Sequence, residues 1–592
     1  IISSISHNFQ DGNIKCTESP GQGRFFCKSH SFDRQILYNP PLTNGVFGGD
    51  RTKKQSFLGG SCVLLASALV TKIIGALFKL PLTNLLGGGG MGYFSCAYGL
   101  FLPVYALSIT GLTTAVAKLT AERAALEDHA ALRRILKLSL WSFSLMGLLG
   151  TGAILLLAKP FCRYVAENPD AYLSVLVLAP AILLGCVSAV FRGYYEGLRT
   201  MYPTGLSQLA EALTKLVCGL GLCRYALTHP AVVLRYLPPG TTPLAAASAA
   251  AVLGVTLSCA AGTLFLILRH VCIGDGIPAL PRQKPSPVSD RALYRALFAV
   301  LIPVAAGSLI TNLTNLIDLA TGMHCLNTAI RKAPVSFAAR FADDPAALAN
   351  FIFGSFSGLA VTIFNLVPSL TNMFGKGAIP AIAAAHAEQN RSAMQQDSAA
   401  AMLATGFLAF PAGLGISVLA QPILQLLYPQ RAAEILAAAP SLQCLGPGVI
   451  FLALTFPLFS MLQAVGHATI TVRIMGVGVC CKLAGNLLLI PLPRIHIAGA
   501  ALSTTLCYLV TFLLALYAYQ KKTGVKLGIM LFLKPAYGGM LCAAAAAFSY
   551  SLLLGRLGNN LALPAAICMG GCVYLFAMWL MGIRLATLRG RT

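Results

Sequence analysis

Apolar runs of roughly twenty residues, bounded by charge, proline or glycine, recur along the chain from about Phe57 to its end. An α-helix needs about 20 apolar residues to cross the hydrocarbon core of a bilayer, so each run is long enough to be a span. Fourteen emerge. The first six run near Phe57 to Leu80, Tyr93 to Ala117, Ile135 to Ala158, Tyr172 to Phe191, Leu206 to Ala226 and Leu244 to Leu268. A basic, proline-rich segment, 269–295, follows. The next six lie near Ala296 to Ala320, Phe351 to Phe374, Ala399 to Ala420, Leu442 to Leu462, Ile470 to Ile490 and Ile497 to Tyr519, and two more, Tyr537 to Leu554 and Leu561 to Met581, close the chain. The pattern predicts an all-α integral membrane protein: an N-lobe over 51–268, a cytoplasmic linker over 269–295, a C-lobe over 296–520 and two further helices in 521–592. Residues 1–50 are polar, lack the charged and apolar regions of a signal peptide, and are expected to be a disordered or non-native tail.

Composition agrees with the pattern. Of 592 residues, 56% are hydrophobic and 10% charged, against about 25% charged in soluble domains. A net charge of +24 would ordinarily suggest nucleic acid. Here the basic residues gather in short loops, and one alternating set of loops carries more than twice as many Lys and Arg as the other. That bias predicts both termini in the cytoplasm, with no nucleic-acid partner. Most of the 18 cysteines fall in apolar runs, Cys96, Cys186 and Cys507 among them, and no C-x-x-C pair occurs. They read as packing residues, and no metal or other cofactor is expected.

Ionisable residues inside spans are costly and usually face a cavity or a partner. The spans hold Lys72, Lys79, Lys215, Arg473 and Lys482 against Glu211 and Asp318. That balance favours an anionic ligand. Lys72 is too deep to reach water easily, whereas Lys79 lies near a span end. Glu211 and Lys215, at i and i+4 with the acid first, predict an intrahelical pair. Lys482 has no carboxylate one turn away, which favours a cavity role. Asp318 reads as an ion ligand, a partner for a cavity lysine or an interfacial carboxylate, and Lys376, between two glycines, as a head-group contact or an interfacial anchor. The run Gly87 to Gly90 lacks the Lys-Ser/Thr of a P-loop and predicts a tight turn. Prolines such as Pro103, Pro368 and Pro457 supply bending points within spans.

The two groups of six spans also resemble each other. Glu196-Gly197 matches Gln463-Ala464, and Lys215 matches Lys482, at a constant spacing of 267 residues. This predicts parallel repeats with a site between the halves.

The stretches Lys72-Ile-Ile-Gly75, Leu80-Pro-Leu-Thr-Asn-Leu-Leu-Gly87 and Gly111-Leu-Thr-Thr-Ala-Val-Ala-Lys118, with Phe191-Arg-Gly-Tyr-Tyr-Glu-Gly197 and Gln208-Leu-Ala-Glu211, resemble the stage V sporulation protein B-like branch of the MOP flippase superfamily. The resemblance implies two six-helix lobes plus two helices in a bacterial inner membrane, and a non-enzymatic exporter of a polyprenyl-pyrophosphate-linked saccharide such as a peptidoglycan precursor. The charges within and beside the spans make Lys72, Lys79, Lys215, Lys376 and Lys482 the expected substrate-binding residues, with Glu211 and Asp318 in charge-pairing or ion-coupling roles. Related lipid II flippases carry Arg-x-x-Gly-x-x-Arg-Asp in the first span. Lys72 and Gly75 match its first half, while Phe78 and Lys79 depart from the second. A monomer in contact with membrane lipid is expected. The rival readings are a cation-coupled multidrug exporter of the sister branch, which would need intramembrane carboxylates, and a membrane-embedded glycosyltransferase or ligase, for which Asp343 and Asp344 are the available loop acids.

Overall fold

The computed structural model describes residues 14–18, 25–29, 57–126, 128–275, 289–341 and 345–582. The chain divides into two units, Ile1–Lys53 and Lys54–Thr592. In the first, strands β1 (Ile14–Glu18) and β2 (Phe25–Ser29) pair antiparallel with Cys16 opposite Cys27. The rest of the expected tail, like Asp343, Asp344 and the middle of the linker, lies outside the described residues.

The second unit is helical. Besides four short helices (Tyr172–Leu178, Pro230–Leu234, Pro334–Phe341 and Val361–Phe364), it contains α1 (Phe57–Tyr105), running through a π-turn into α2 (Gly111–Ala125), α3 (His129–Pro160), α4 (Pro180–Gly197), α5 (Tyr202–Thr228), α6 (Pro243–Ile273), α7 (Asp290–Lys332), α8 (Pro345–Ser355), α9 (Leu366–Ala387), α10 (Arg391–Val418), α11 (Ala420–Leu427), α12 (Ala432–Ala464), α13 (Ala468–Leu489), α14 (Ala498–Thr523) and α15 (Met530–Leu580). Among the described residues, eleven helical stretches are long and apolar enough to cross a membrane. One of them covers the 57 residues Leu69–Ala125, about 85 Å of helix. That is nearly three times the hydrocarbon thickness of about 30 Å, so the helix must break to stay in lipid. It breaks at Gly87 (φ 61°), a left-handed conformation for which glycine carries no Cβ penalty. In α15, 51 residues long, the same happens at Gly558 (φ 67°). The expected tight turn at Gly87 to Gly90 is therefore a single left-handed residue, with Gly88 already helical.

The repeat seen in the sequence extends to the backbone. After α4, the amides of Leu198, Arg199 and Thr200 donate to the carbonyls of Tyr194, Glu196 and Tyr195; after α12, Val465, Gly466 and His467 donate to Met461, Gln463 and Leu462. Each of these six positions in one turn lies 267 residues from its counterpart in the other. The turning residues, Arg199 (φ 60°) and Gly466 (φ 81°), are both left-handed.

Helices of the two halves meet most closely beside Gly87. A Cβ added to Gly354 would overlap the carbonyl oxygen of Gly88 and the amide of Gly92, and one added to Gly92 would overlap Asn350. Glycine is required because the backbones touch with no side chain between them, the small-residue contact favoured between helices in lipid. Burial along α1 follows this geometry. Phe78, Leu82 and Leu86 are buried, whereas Val70, Ile73 and Leu77, farther from Gly87, are exposed, as are Leu366, Leu370 and Phe374 of α9.

Candidate functional site

The intramembrane charges fall into three groups. In the first, Arg192, near the end of α4, donates from Nη2 to Glu211 Oε1 at 2.6 Å and from Nε to Ser207 Oγ at 3.0 Å. This corrects the expected Glu211–Lys215 pair. The planar guanidinium reaches an acid and a hydroxyl on one face of α5 at once, which a lysine cannot do. Lys215 turns instead to Phe78 of α1, its Nζ 4.9 Å from the ring centroid. Such a cation–π contact contributes about 0.5–2 kcal/mol and puts no anion against the ammonium.

Beside it, Lys79 donates from Nζ to the carbonyl oxygen of Ser357 at 3.4 Å, and Ser357 Oγ lies 2.7 Å from Ser95 Oγ. Lys79 and Lys215 are near enough for their charges to interact. Among the described residues, neither has a carboxylate within ion-pair distance. Lys72 lies seven residues before Lys79, hence on nearly the same face of α1, and is exposed. The second group is therefore a cationic stripe on α1 and α5.

The third group sits in the other half. Lys482 of α13 is almost fully buried and donates to Asp318 Oδ2 of α7 at 2.6 Å. Asn486 donates to Asp318 Oδ1 at 3.1 Å and to Thr321 Oγ1 at 2.9 Å, and itself accepts from Ser503. Lys482 thus has a partner although no carboxylate lies one turn away in its own helix. Its acid lies 164 residues away on another helix, beyond any one-turn rule. Asp318 takes the lysine-partner role, one of its three readings. Lys376 lies in α9, and its side chain is outside the described residues. Arg473 is in α13.

Sequence reasoning missed a further charged cluster. At the Gly87 break, Arg431 donates from Nη2 to the carbonyls of Asn84 (2.7 Å) and Leu85 (3.2 Å), while Glu434 Oε1 accepts from the amide of Gly88 at 3.3 Å and from Arg431 Nη1 at 3.2 Å. A helix C-terminus exposes carbonyls and an N-terminus exposes amides. Arg431 meets the first and Glu434 the second, each with the charge that the helix dipole prefers. The same end is tied by Asn84 to the Leu427 carbonyl (3.1 Å), Asn350 to the Gly89 carbonyl (2.9 Å) and Asn168 to Asn350 (2.7 Å). There too Glu167 accepts from Asn327 (2.6 Å) and contacts His324 (2.7 Å). Partial burial alone would raise the Glu167 carboxyl, but the bonds to His324 and Asn327 and the nearby Arg331 hold it below its ordinary range. Glu167 and Glu434 are 267 residues apart, so equivalent acids of the two repeats each grip the opposite half.

Among the described residues no group of three His, Cys, Asp or Glu could hold a metal ion.

Comparison with known proteins gives the chain's family and fold. A polysaccharide biosynthesis protein family model matches residues 57–324, and a lipid II flippase MurJ family model matches residues 240–563. Stage V sporulation protein B of Bacillus subtilis (strain 168) is 24% identical over 456 residues, covering 76% of this chain and 81% of that protein. The lipid II flippase MurJ of the same organism is 23% identical over 545 residues, covering 89% and 95%. Among solved structures, a lipid II flippase MurJ in an inward closed conformation has a TM-score of 0.62 at 14% identity, covering 88% of this chain and 98% of that one. An inward-facing MATE multidrug transporter has a TM-score of 0.58 at 13% identity, covering 78% and 98%. These two likenesses establish the fold.

Proposed function

Because the chain belongs to the lipid II flippase MurJ family, whose model spans more than half of it, we propose that it is a flippase for a polyprenyl-pyrophosphate-linked saccharide of the cell envelope. Its cargo head group is the anionic pyrophosphate, and the cationic stripe of Lys72, Lys79 and Lys215 is its binding surface. The observation that carries this is that Lys79 and Lys215, beside the seam between the halves, make no ion pair among the described residues. A partly buried cation without an ion-pair partner is costly, and an incoming phosphate supplies one. The polyprenyl tail stays in lipid, and no covalent step is required.

The loop charges support cytoplasmic termini in a bacterial inner membrane, which puts the Gly87 end outside. Fourteen crossings follow if the helices broken at Gly87 and Gly558 each cross twice and α7 once more. The zipped glycines at that end, with exposed α1 and α9 residues at the other, then correspond to a state open to the cytoplasm. Lys72 is the first of the three lysines a head group meets on entry. Outward movement of an anion is favoured by about 2.3 kcal/mol per charge per 100 mV of an inside-negative potential. The monomer holds both halves of this site.

A multidrug exporter is the weaker reading, because the two intramembrane carboxylates that could take a cation, Glu211 and Asp318, are held by Arg192 and Lys482. The test is rescue of bacteria depleted of their lipid II flippase, with translocation of fluorescent lipid II in sealed vesicles. The wild type should restore both. Lys79→Ala/Lys215→Ala should abolish both while remaining folded in the membrane. Unimpaired transport by that variant overturns the assignment of the site.

A further inference from the structure

Away from the seam, a cavity of about 710 Å³ opens between α11, the first three turns of α12 and the Gly558 break of α15. Its volume lies in the range of small-molecule sites. Five carboxamides line it: Gln421 and Gln425 on one face of α11, Gln443 on α12, and Asn559 and Asn560 directly after the break. No charged residue does.

Asn559 is fixed in place. It accepts from Tyr550 OH at 3.1 Å and donates to the Pro422 carbonyl at 3.3 Å, binding α15 to α11. The other four amides make no hydrogen bond through their side chains to the described residues. Each carries two donors and an acceptor oxygen, so the cavity presents a dense set of unspent donors and acceptors without net charge. An anion or cation would leave water there with no counter-charge. A polyhydroxylated neutral group, every hydroxyl of which both donates and accepts, matches the lining. Leucines lie close by: Leu436 is in the lining, and Leu557 and Leu561 flank the two asparagines in sequence, all three exposed. The break divides an apolar helix of 51 residues, which at the helical rise is more than twice the hydrocarbon thickness; taken as the turn between two crossings, it sets a ligand's polar part among amides and an apolar part along leucines.

We propose that this cavity binds the uncharged saccharide head group of a membrane glycolipid, separately from the cationic stripe. The cavity shares the first turn of α12 with the Gly87 clamp. Ala432, Ile435 and Leu436 face the cavity while Glu434 faces Gly88.

The test uses the full-length protein in detergent and native mass spectrometry with three probes: diglucosyl diacylglycerol, phosphatidylglycerol and free maltose. The glycolipid should be retained with at least tenfold higher affinity than either of the others. Gln425→Ala/Gln443→Ala should lower that affinity at least tenfold. Gln425→Glu/Gln443→Glu, which keeps side-chain size, should do the same with an unchanged melting temperature. Gln395→Ala, on a distant exposed site, should have no effect. Equal retention of phosphatidylglycerol, equal binding of free maltose, or glycolipid binding indifferent to both double variants would overturn the proposal.

Discussion

Replacing Asp318 with Asn tests whether Lys482 is a structural cation held by its acid or a ligand of the cargo. The Lys482 side chain is 4% exposed and that of Asp318 16%, with 2.6 Å between the charged atoms. In so dry a setting, removing the acid leaves an uncompensated ammonium, and breaking such a pair costs about 3–5 kcal/mol. Asn486 would lose one of its two acceptors as well, keeping Thr321. Lys482→Met/Asp318→Leu removes both charges and fills their volume, and such replacements are commonly neutral or stabilising. The double variant should therefore regain most of the loss, giving a coupling of at least about 3 kcal/mol between the positions. Equilibrium unfolding in mixed micelles for the wild type, Lys482→Met, Asp318→Leu and the double variant closes the cycle, and vesicle translocation is read in parallel. The double variant should transport at more than half the wild-type rate, because the pair lies apart from the cationic stripe. Additive losses of stability, or a stable double variant without transport, would refute the reasoning and return Lys482 to the cargo.

Three further outcomes follow from the geometry. Gly354→Ala places a methyl group against the Gly88 carbonyl and should hold the seam apart; a cysteine at Ser95, now 2.7 Å from Ser357, should then react at least several-fold faster with a membrane-impermeant maleimide added from the Gly87 side, and an unchanged rate would count against a closed seam. Arg192→Lys keeps the charge but loses the guanidinium fork between Glu211 and Ser207, so stability should fall by about 1–3 kcal/mol, measured by unfolding in micelles. Glu167 has a depressed carboxyl pKa in the folded state, so the stabilisation it supplies is present above the ordinary carboxylate pKa of about 4.3 and is lost as pH falls through its folded value. The gap in melting temperature between wild type and Glu167→Gln should accordingly be largest near neutrality and close on acidification, whereas a gap that widens would contradict the sign.

Much of the helical architecture was legible because lipid enforces it: a backbone in hydrocarbon must satisfy its own hydrogen bonds, so apolar length translates directly into helix. The repeat was legible from Lys215 and Lys482, and the turns after α4 and α12 strengthen it bond by bond. What those two lysines touch was not. Equivalent in position, one lies over Phe78 and the other against Asp318, because their neighbours come from helices that no local spacing relates. The i,i+4 rule paired Glu211 with Lys215 correctly for an isolated helix, and Arg192 of α4 displaced that pair once the helices packed. For Arg431 and Glu434 the i,i+3 spacing and the 267-residue offset of Glu434 from Glu167 were present in the sequence, but neither indicates the grip on the Gly87 break. Their partners are backbone groups some 340 residues earlier in the chain, and a sequence pattern has nothing to say about a carbonyl.

The clamp at Gly87 bears on how the two halves can part. One arginine and one glutamate, a turn apart on the same segment, hold two helix ends whose polarities are opposite. A small displacement of that segment would strip the carbonyls and the amide of their partners together, with little to gain from a half-released posture until water arrives to replace both. Separation on that side should thus proceed as a single hydration event, abrupt rather than graded.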